Sequence, residues 1–554
     1  MSPRRLDLWL GGGAATLLLA AIFGGCAGTS AGSTATTGAG ATGGCQTSAC
    51  VPPLGTPVNW AVEIDPLNSS PAAFTQLPSV AIAAGSVALQ ADSLDTVEAS
   101  FAGATGNPVP ATANVVLTVP SLIDGRPNLV FQGPAALDAS TGAIGGSLVL
   151  PTATMGRASA TLQLIPLSPS DQQSPPATFS VTVATTLDEV LPTNILRMSG
   201  TLLSAINAPP STPFVARAFL SGTQISNSSL TAADGSFELL LAPEPAGSLV
   251  TVDLTPLNQG GADPWYTSSL LDPTMNRTLA PIMLPPYSSP NAFTLTVHSM
   301  SDAPNPAGGV LVSAQAILAS SAAGSFDFQA AGTTSLPTAN GGGGSVTLSL
   351  LPGTATSALP YDLTVVPPAS SPYATRCIPA VGVTVGGTTN APSNLTSIGL
   401  LPRPTLTGNV RDASGRAVPS VAITATAGPG PTGGCTRTPA VSSSVVADLN
   451  GDFVLPLDPG TFQLDYDPPA GASVPRLTET SVVVPTGAFQ LTHDVSLPEA
   501  ALVEGTVVGP DGSALPSATV RIFQTQPALL LLAQTVSDGS GKFRAVVNAN
   551  AASD

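Results

Sequence analysis

A strand that runs into proline recurs along this chain about every hundred residues. It occurs in residues 60–66, 161–166, 249–256, 361–368 and 462–468, closing at Pro66, Pro166, Pro256, Pro367 and Pro468. Proline cannot donate to a ladder, so each marks a strand end. A second marker, a glycine that leads into a strand, repeats with the same period at Gly146, Gly235, Gly344, Gly451 and Gly541. Two independent markers sharing one period indicate an array of similar units. At 554 residues the chain is also too long for one core.

The most legible unit is residues 408–469. Val421 and Ile423 alternate with small or polar neighbours, as a strand with one buried face requires. Asp412 to Gly415 form a turn, and Asn450-Gly451 is a strong hairpin signal because both residues tolerate positive φ. Phe453-Val454-Leu455 then reads as a strand, and Pro459-Gly460 as a turn. Phe462, Leu464 and Tyr466 alternate with Thr461, Gln463 and Asp465 up to Pro468. Each period holds about seven such strands and no helical periodicity, enough for two packed sheets. The expected fold is all-β: a tandem array of about five antiparallel seven-stranded β-sandwich modules after a flexible N-terminal tether.

Gly505, Gly512, Pro516 and Ser517 match Gly408, Gly415, Pro419 and Ser420 at a constant offset of 97, and Gly541-Lys542-Phe543 matches Gly451-Asp452-Phe453. This pattern resembles the carboxypeptidase regulatory-like family, well over the last two units and more loosely over residues 200–256. The resemblance implies a small prealbumin-like or immunoglobulin-like sandwich in a secreted multi-domain chain. A shared fold does not imply a shared function. The metallocarboxypeptidases that carry this module use a zinc cluster of His and Glu, which nothing here matches.

The expected divisions are a signal at 1–25, a tether at 26–55, a half-module at 56–96, and sandwiches at 97–192, 193–288, 289–402, 403–499 and 500–554. The last lacks its closing strands. Three readings of this phase stay open. The chain is a fragment; or five whole units fit between Val58 and Asp554 in another phase; or the N-terminal half completes the C-terminal half of another molecule by strand addition.

Arg4-Arg5 followed by an apolar stretch from Leu8 to Phe23 reads as an export signal. Phe23-Gly24-Gly25-Cys26 resembles a bacterial lipobox, departing from it in having Phe23 where leucine is usual; the resemblance implies lipid on the sulfur of Cys26. A plain signal peptide or a membrane-anchoring helix is the alternative. Residues 27–44, almost wholly Ala, Gly, Ser and Thr, suit a flexible tether, with a reach of roughly 30 Å up to Gly55. Ala27 resembles the residue after the cysteine in lipoproteins sent to the outer membrane, which points to the cell envelope of a Gram-negative bacterium. With Cys26 acylated, Cys45, Cys50, Cys377 and Cys435 remain, which in an oxidising compartment pair in three ways; the favoured set is Cys45 with Cys50 and Cys377 with Cys435.

The net charge of −17 includes no basic cluster beyond Arg4-Arg5, which argues against a nucleic-acid partner. Catalytic residues, metal ligands and cofactors are not expected. Only two histidines occur; His493 and Asp494 are strand neighbours and so point to opposite faces. Gly28 to Gly32 spells G-x-S-x-G, but in the tether rather than on a strand-to-helix elbow. The acidic turn Asp448 to Asp452 offers oxygens to calcium, although hairpin chemistry already accounts for it. Trp60 and Trp265-Tyr266 are the aromatic groups available for stacking on a sugar. Leu529 to Leu532 is too short to cross a bilayer and reads as a buried strand. The leading expectation is a non-catalytic, lipid-anchored protein displaying sandwiches for adhesion, assembly or envelope interaction with an unidentified glycan or protein partner. The alternatives are a glycan-binding surface lipoprotein and the accessory part of a longer secreted enzyme.

Overall fold

The computed structural model describes residues 51–551, apart from 68–69, 84–85, 168–173, 243–246, 258–263, 287–290, 300–304, 338–342, 354–357, 369–370, 384–396, 428–440 and 486–488. Among the described residues every regular element is a strand, save one 3-10 turn at Thr152–Thr154. The strands enclose five separate apolar cores. The fold is an all-β tandem array of sandwiches.

The fourth module, residues 405–497, shows the plan. One sheet runs Val441–Val446, Ala422–Ala427, Gly460–Asp467, Leu477–Val484, all antiparallel. The other sets Thr405–Arg411 between Asp452–Pro456 and a last strand broken into Gln490–Thr492 and Val495–Ser496. The alternating residues Ile423, Ala425, Phe462, Leu464 and Tyr466 close on Phe453 and Leu455 of the facing sheet. Each large apolar side chain so buried contributes roughly 1.5–3 kcal/mol. The marker glycines have a steric cause. Gly451 and Gly541 adopt φ of +79° and +76°, and a Cβ on either would come within 2.5 Å of the carbonyl oxygen of Val410 or Val507 on the opening strand.

One feature departs from a purely antiparallel plan. In every module the last strand joins the opening strand in parallel: Thr186–Val190 on Leu94–Ala102, Arg277–Thr278 and Ile282–Met283 on Leu196–Leu203, Ser397–Leu400 on Asn291–Ser299, the broken strand on Thr405–Arg411, and Ser86–Gln90 on Ala500–Val508. In four modules the chain crosses between sheets before this strand, and in the first it passes from one edge of a single seven-stranded sheet, Ala177–Val181, to the other, so it arrives in the same direction as the strand it joins.

The last of these pairings brings the N-terminal half-module and the C-terminal unit together. The N-terminal half-module and the C-terminal unit are two parts of one sandwich. Val58–Asp65 pairs antiparallel with Thr519–Gln524, and Ser86–Gln90 lies on Ala500–Val508. Their combined sheets, Thr75–Ile82, Val58–Asp65, Thr519–Gln524, Leu530–Val536 and Ser86–Gln90, Ala500–Val508, Lys542–Asn548, repeat the strand order of the fourth module. The register repeats too. Val62 faces Ile522 as Leu464 faces Ala425, and the irregularity between Trp60 and Val62 falls where the fourth module has one between Phe462 and Leu464. Trp60, Val62, Ile64, Ile82 and Leu89 share one core with Val503, Val507, Val520, Ile522 and Phe543. The array therefore returns to its starting point within one chain.

Candidate functional site

Among the described residues the two buried carboxylates, Glu63 and Asp458, lie where modules meet. On the strand Val58–Asp65, Trp60, Val62 and Ile64 face the composite core, which turns Ala61 and Glu63 to the other side. That side is covered by the turn that follows Thr112–Val119 of the first module. Glu63, fully buried, accepts hydrogen bonds from Arg126 at both oxygens, Nε to Oε1 at 2.8 Å and Nη2 to Oε2 at 2.9 Å, and from Gln76 at 3.1 Å. Gln76 in turn accepts from the Leu122 amide and the Ser121 hydroxyl. The Arg126 guanidinium also lies 4.9 Å from the centre of the Phe523 ring. Ala61, Ile123 and Phe523 form a small core at this joint with Leu529 and Leu531 against it. The run of leucines is thus a strand, Leu530–Val536, partly buried by the joint.

The other joints are built similarly. Between the third and fourth modules, Asp458 accepts from Arg403 Nε at 3.0 Å and from the Thr375 amide at 3.1 Å, with both charged side chains more than nine-tenths buried. Between the second and third, Trp265–Ser268 pairs with Gly324–Thr333, so one sheet runs through both modules. Glu63, Arg126, Arg403 and Asp458 were not singled out from the sequence. The available signal was composition: where only 9% of residues are charged, a glutamate inside the apolar run VNWAVEID is unusual.

The residues that the sequence did single out are placed otherwise. Trp60 is wholly buried, and Tyr266 is buried with its ring 4.9 Å from that of Phe326, so neither presents a stacking platform. His493 and Asp494 diverge, as expected: His493 Nε2 lies 2.7 Å from Glu479 Oε2, while Asp494 accepts from the Asn409 amide. His298 contacts the Ser299 carbonyl. Tyr466 also donates to Glu479, at 3.2 Å, and burial raises its pKa well above the usual tyrosine value. By register and position, Tyr466, Glu479 and His493 correspond to Ile64, Leu77 and Val87 in the composite module, so this polar triad is an individual feature of the fourth.

The acidic turns are occupied with their own backbones. Asp448 accepts the amides of Asn450 and Asp452, and Asp538 those of Ser540 and Lys542. Among the described residues no group of His, Cys, Asp and Glu is arranged to hold a metal ion. Cys377, on the strand Arg376–Val383, is disulfide-bonded. Cys26, Cys45, Cys50 and Cys435, like Gly28 to Gly32, lie outside the described residues.

No family model matches the chain, and no curated protein matches it. Among solved structures it is similar to the TIE protein of Bacillus anthracis, at 10% identity over 73% of this chain and 74% of that one with a TM-score of 0.14. It is also similar to a streptococcal ancillary pilin, at 12% identity over 54% and 99% with a TM-score of 0.18. The minor pilin of Streptococcus agalactiae matches at 10% identity over 34% and 97%, with a TM-score of 0.17. At such scores these similarities carry no argument about this chain.

Proposed function

We propose that this is a non-catalytic cell-envelope protein, anchored by lipid on Cys26 and holding its sandwiches in fixed mutual positions for adhesion, assembly or envelope interaction. The observation that supports this reading is the use made of buried charge. Glu63 with Arg126 joins the composite module to the first, and Asp458 of the fourth module, paired with Arg403 just ahead of its opening strand, takes the Thr375 amide of the third. Such pairs, once desolvated, specify one geometry more than they add stability. A display scaffold needs such fixed geometry.

In this reading residues 26–50 lift the array from an outer membrane, Cys45 bonds Cys50, and Cys377 bonds Cys435 to staple the third module to the fourth. The expected tether ends before residue 55, because Pro52 and Leu54 already pair with Leu502 and Leu54 is buried in the composite core. Cys377 lies two residues from Thr375, which already contacts Asp458 of the fourth module. Kinship with the carboxypeptidase regulatory-like family rests, in this reading, on the residue pattern shared by the two units, Gly408, Gly415, Pro419 and Ser420 against Gly505, Gly512, Pro516 and Ser517. The intact mass of protein extracted from membranes should correspond to a chain beginning at Cys26 with attached diacylglycerol, and Cys26→Ser should abolish membrane retention. A mature chain cut elsewhere and free of lipid overturns the anchoring.

A further inference from the structure

The composite module is made from two separable bodies, and the division of its polar contacts shows where they part. Residues 58–191 form the donor body. Its strands are fixed to the first module from within: Arg126 and Gln76 satisfy Glu63, Leu122 and Ser121 satisfy Gln76, Ser93 meets Thr152 at 2.6 Å, and Asp92 accepts the Ala153 amide. The acceptor, residues 500–551, adds little polar contact. Arg521 approaches Asp65 at 3.4 Å and Glu63 at 3.9 Å, and Gln90 reaches the Pro510 carbonyl at 3.3 Å near the surface. The bodies are also joined by Arg126 over the Phe523 ring, by backbone hydrogen bonds of Pro52, Leu54 and Ala91 with Leu502 and Val508, and by strand pairing and apolar contact: Ala61 to Asp65 on Thr519 to Phe523, Ser86 to Gln90 on Glu504 to Val508, and the shared core.

Parting them therefore strands no buried carboxylate, since Glu63 keeps its arginine and its amide partner. It does uncover Trp60, Val62 and Ile64 on one side and Val503, Val520 and Ile522 on the other, so neither body is stable open. Each must be covered by its own counterpart or by the same surface from another copy.

We propose that this clasp is the self-association surface of the protein, and that its partner is a second copy of the same chain. The donor body of one copy completes the acceptor sheets of the next in the same register, giving a closed pair or a head-to-tail chain. Within one molecule the tethering of donor to acceptor through the intervening modules favours self-closure until the concentration of copies exceeds the effective concentration which that tethering sets. Crowding of copies at one surface shifts the balance toward exchange.

The test uses Val62→Cys with Ile522→Cys, which places a thiol on each body at facing positions. Full-length chain labelled with light and heavy nitrogen is mixed, unfolded, refolded under reducing conditions at low micromolar or near-millimolar concentration, and then oxidised. At low concentration the 62–522 linked peptide should be wholly light or wholly heavy. At high concentration, light–heavy linked peptides and covalent dimers should appear. Linked peptides of one isotope alone at both concentrations overturn the proposal. Native mass spectrometry of the unsubstituted chain, refolded identically, provides a second reading: light–heavy dimers that grow with concentration support exchange, and monomer alone at both concentrations overturns it.

Discussion

Arg126 holds Glu63 through two parallel hydrogen bonds, although the arginine belongs to the first module and the glutamate to the composite one. The two ends of this pair are not equally exposed. Glu63 is fully buried, whereas the Arg126 side chain is 29% exposed. Removing the arginine leaves a fully buried carboxylate with Gln76 at 3.1 Å and only the more distant Arg521, at 3.9 Å, to offset its charge. Removing the glutamate leaves a guanidinium that water can reach. Arg126→Ala is expected to cost about 3–5 kcal/mol, and Glu63→Ala clearly less. Denaturant unfolding followed by Trp60 fluorescence measures both; the reverse order would show that the joint is not organised by the buried carboxylate.

Gly200 and Phe237 face each other across the opening and glycine-led strands of the second module. A Cβ on Gly200 would lie 2.5 Å and 2.8 Å from two ring carbons of Phe237, with no backbone among its nearest neighbours. Gly200→Ala should therefore destabilise by about 1–3 kcal/mol. In a Phe237→Ala background the added methyl should cost almost nothing. A double-mutant cycle reads this coupling directly, and additive effects would rule out the steric explanation.

If Cys377 closes a loop with Cys435, peptide mapping without reductant should recover that pair. Cys377→Ser should then lower stability by about 2–4 kcal/mol. Recovery of Cys377 linked to Cys45 or Cys50 would refute the staple between the third and fourth modules.

The aspartates of the turns report on acid. Hydrogen bonds from the Ser140, Ser236, Ser513 and Ser540 hydroxyls hold Asp138, Asp234, Asp511 and Asp538 below the ordinary value of 3.8, aided by nearby backbone amides. A carboxyl whose folded pKa is lowered contributes stability that is present above about 3.8 and is lost as pH falls through the lower folded value. Carboxyl chemical shifts followed through an acid titration should show all four midpoints below 3.8. Ser540→Ala should raise that of Asp538 and leave Asp511 unchanged.

Much of the fold is visible in the residues themselves. The alternation at Phe462, Leu464 and Tyr466, the turn at Asn450-Gly451 and the glycine before Phe453 are local signals, because strand periodicity and positive φ depend on near neighbours. The joints are less legible. Nothing adjacent to Glu63 in sequence indicates Arg126, and nothing near Thr375 indicates Asp458, because these contacts depend on how whole modules dock. Tyr466, Glu479 and His493 likewise meet only because two sheets bring separate strands together.

A repeated all-β array is legible in the residues, since period, turn residues and alternation are written within each hundred of them. That the first and last pieces form one module emerges only in three dimensions. Arg521 and Asp65 stand 456 residues apart, and strands that complete each other across such a span carry the same local pattern as any others. Hydrogen-bonding edges and apolar faces are generic, so which edges meet is settled by the packing of the whole array.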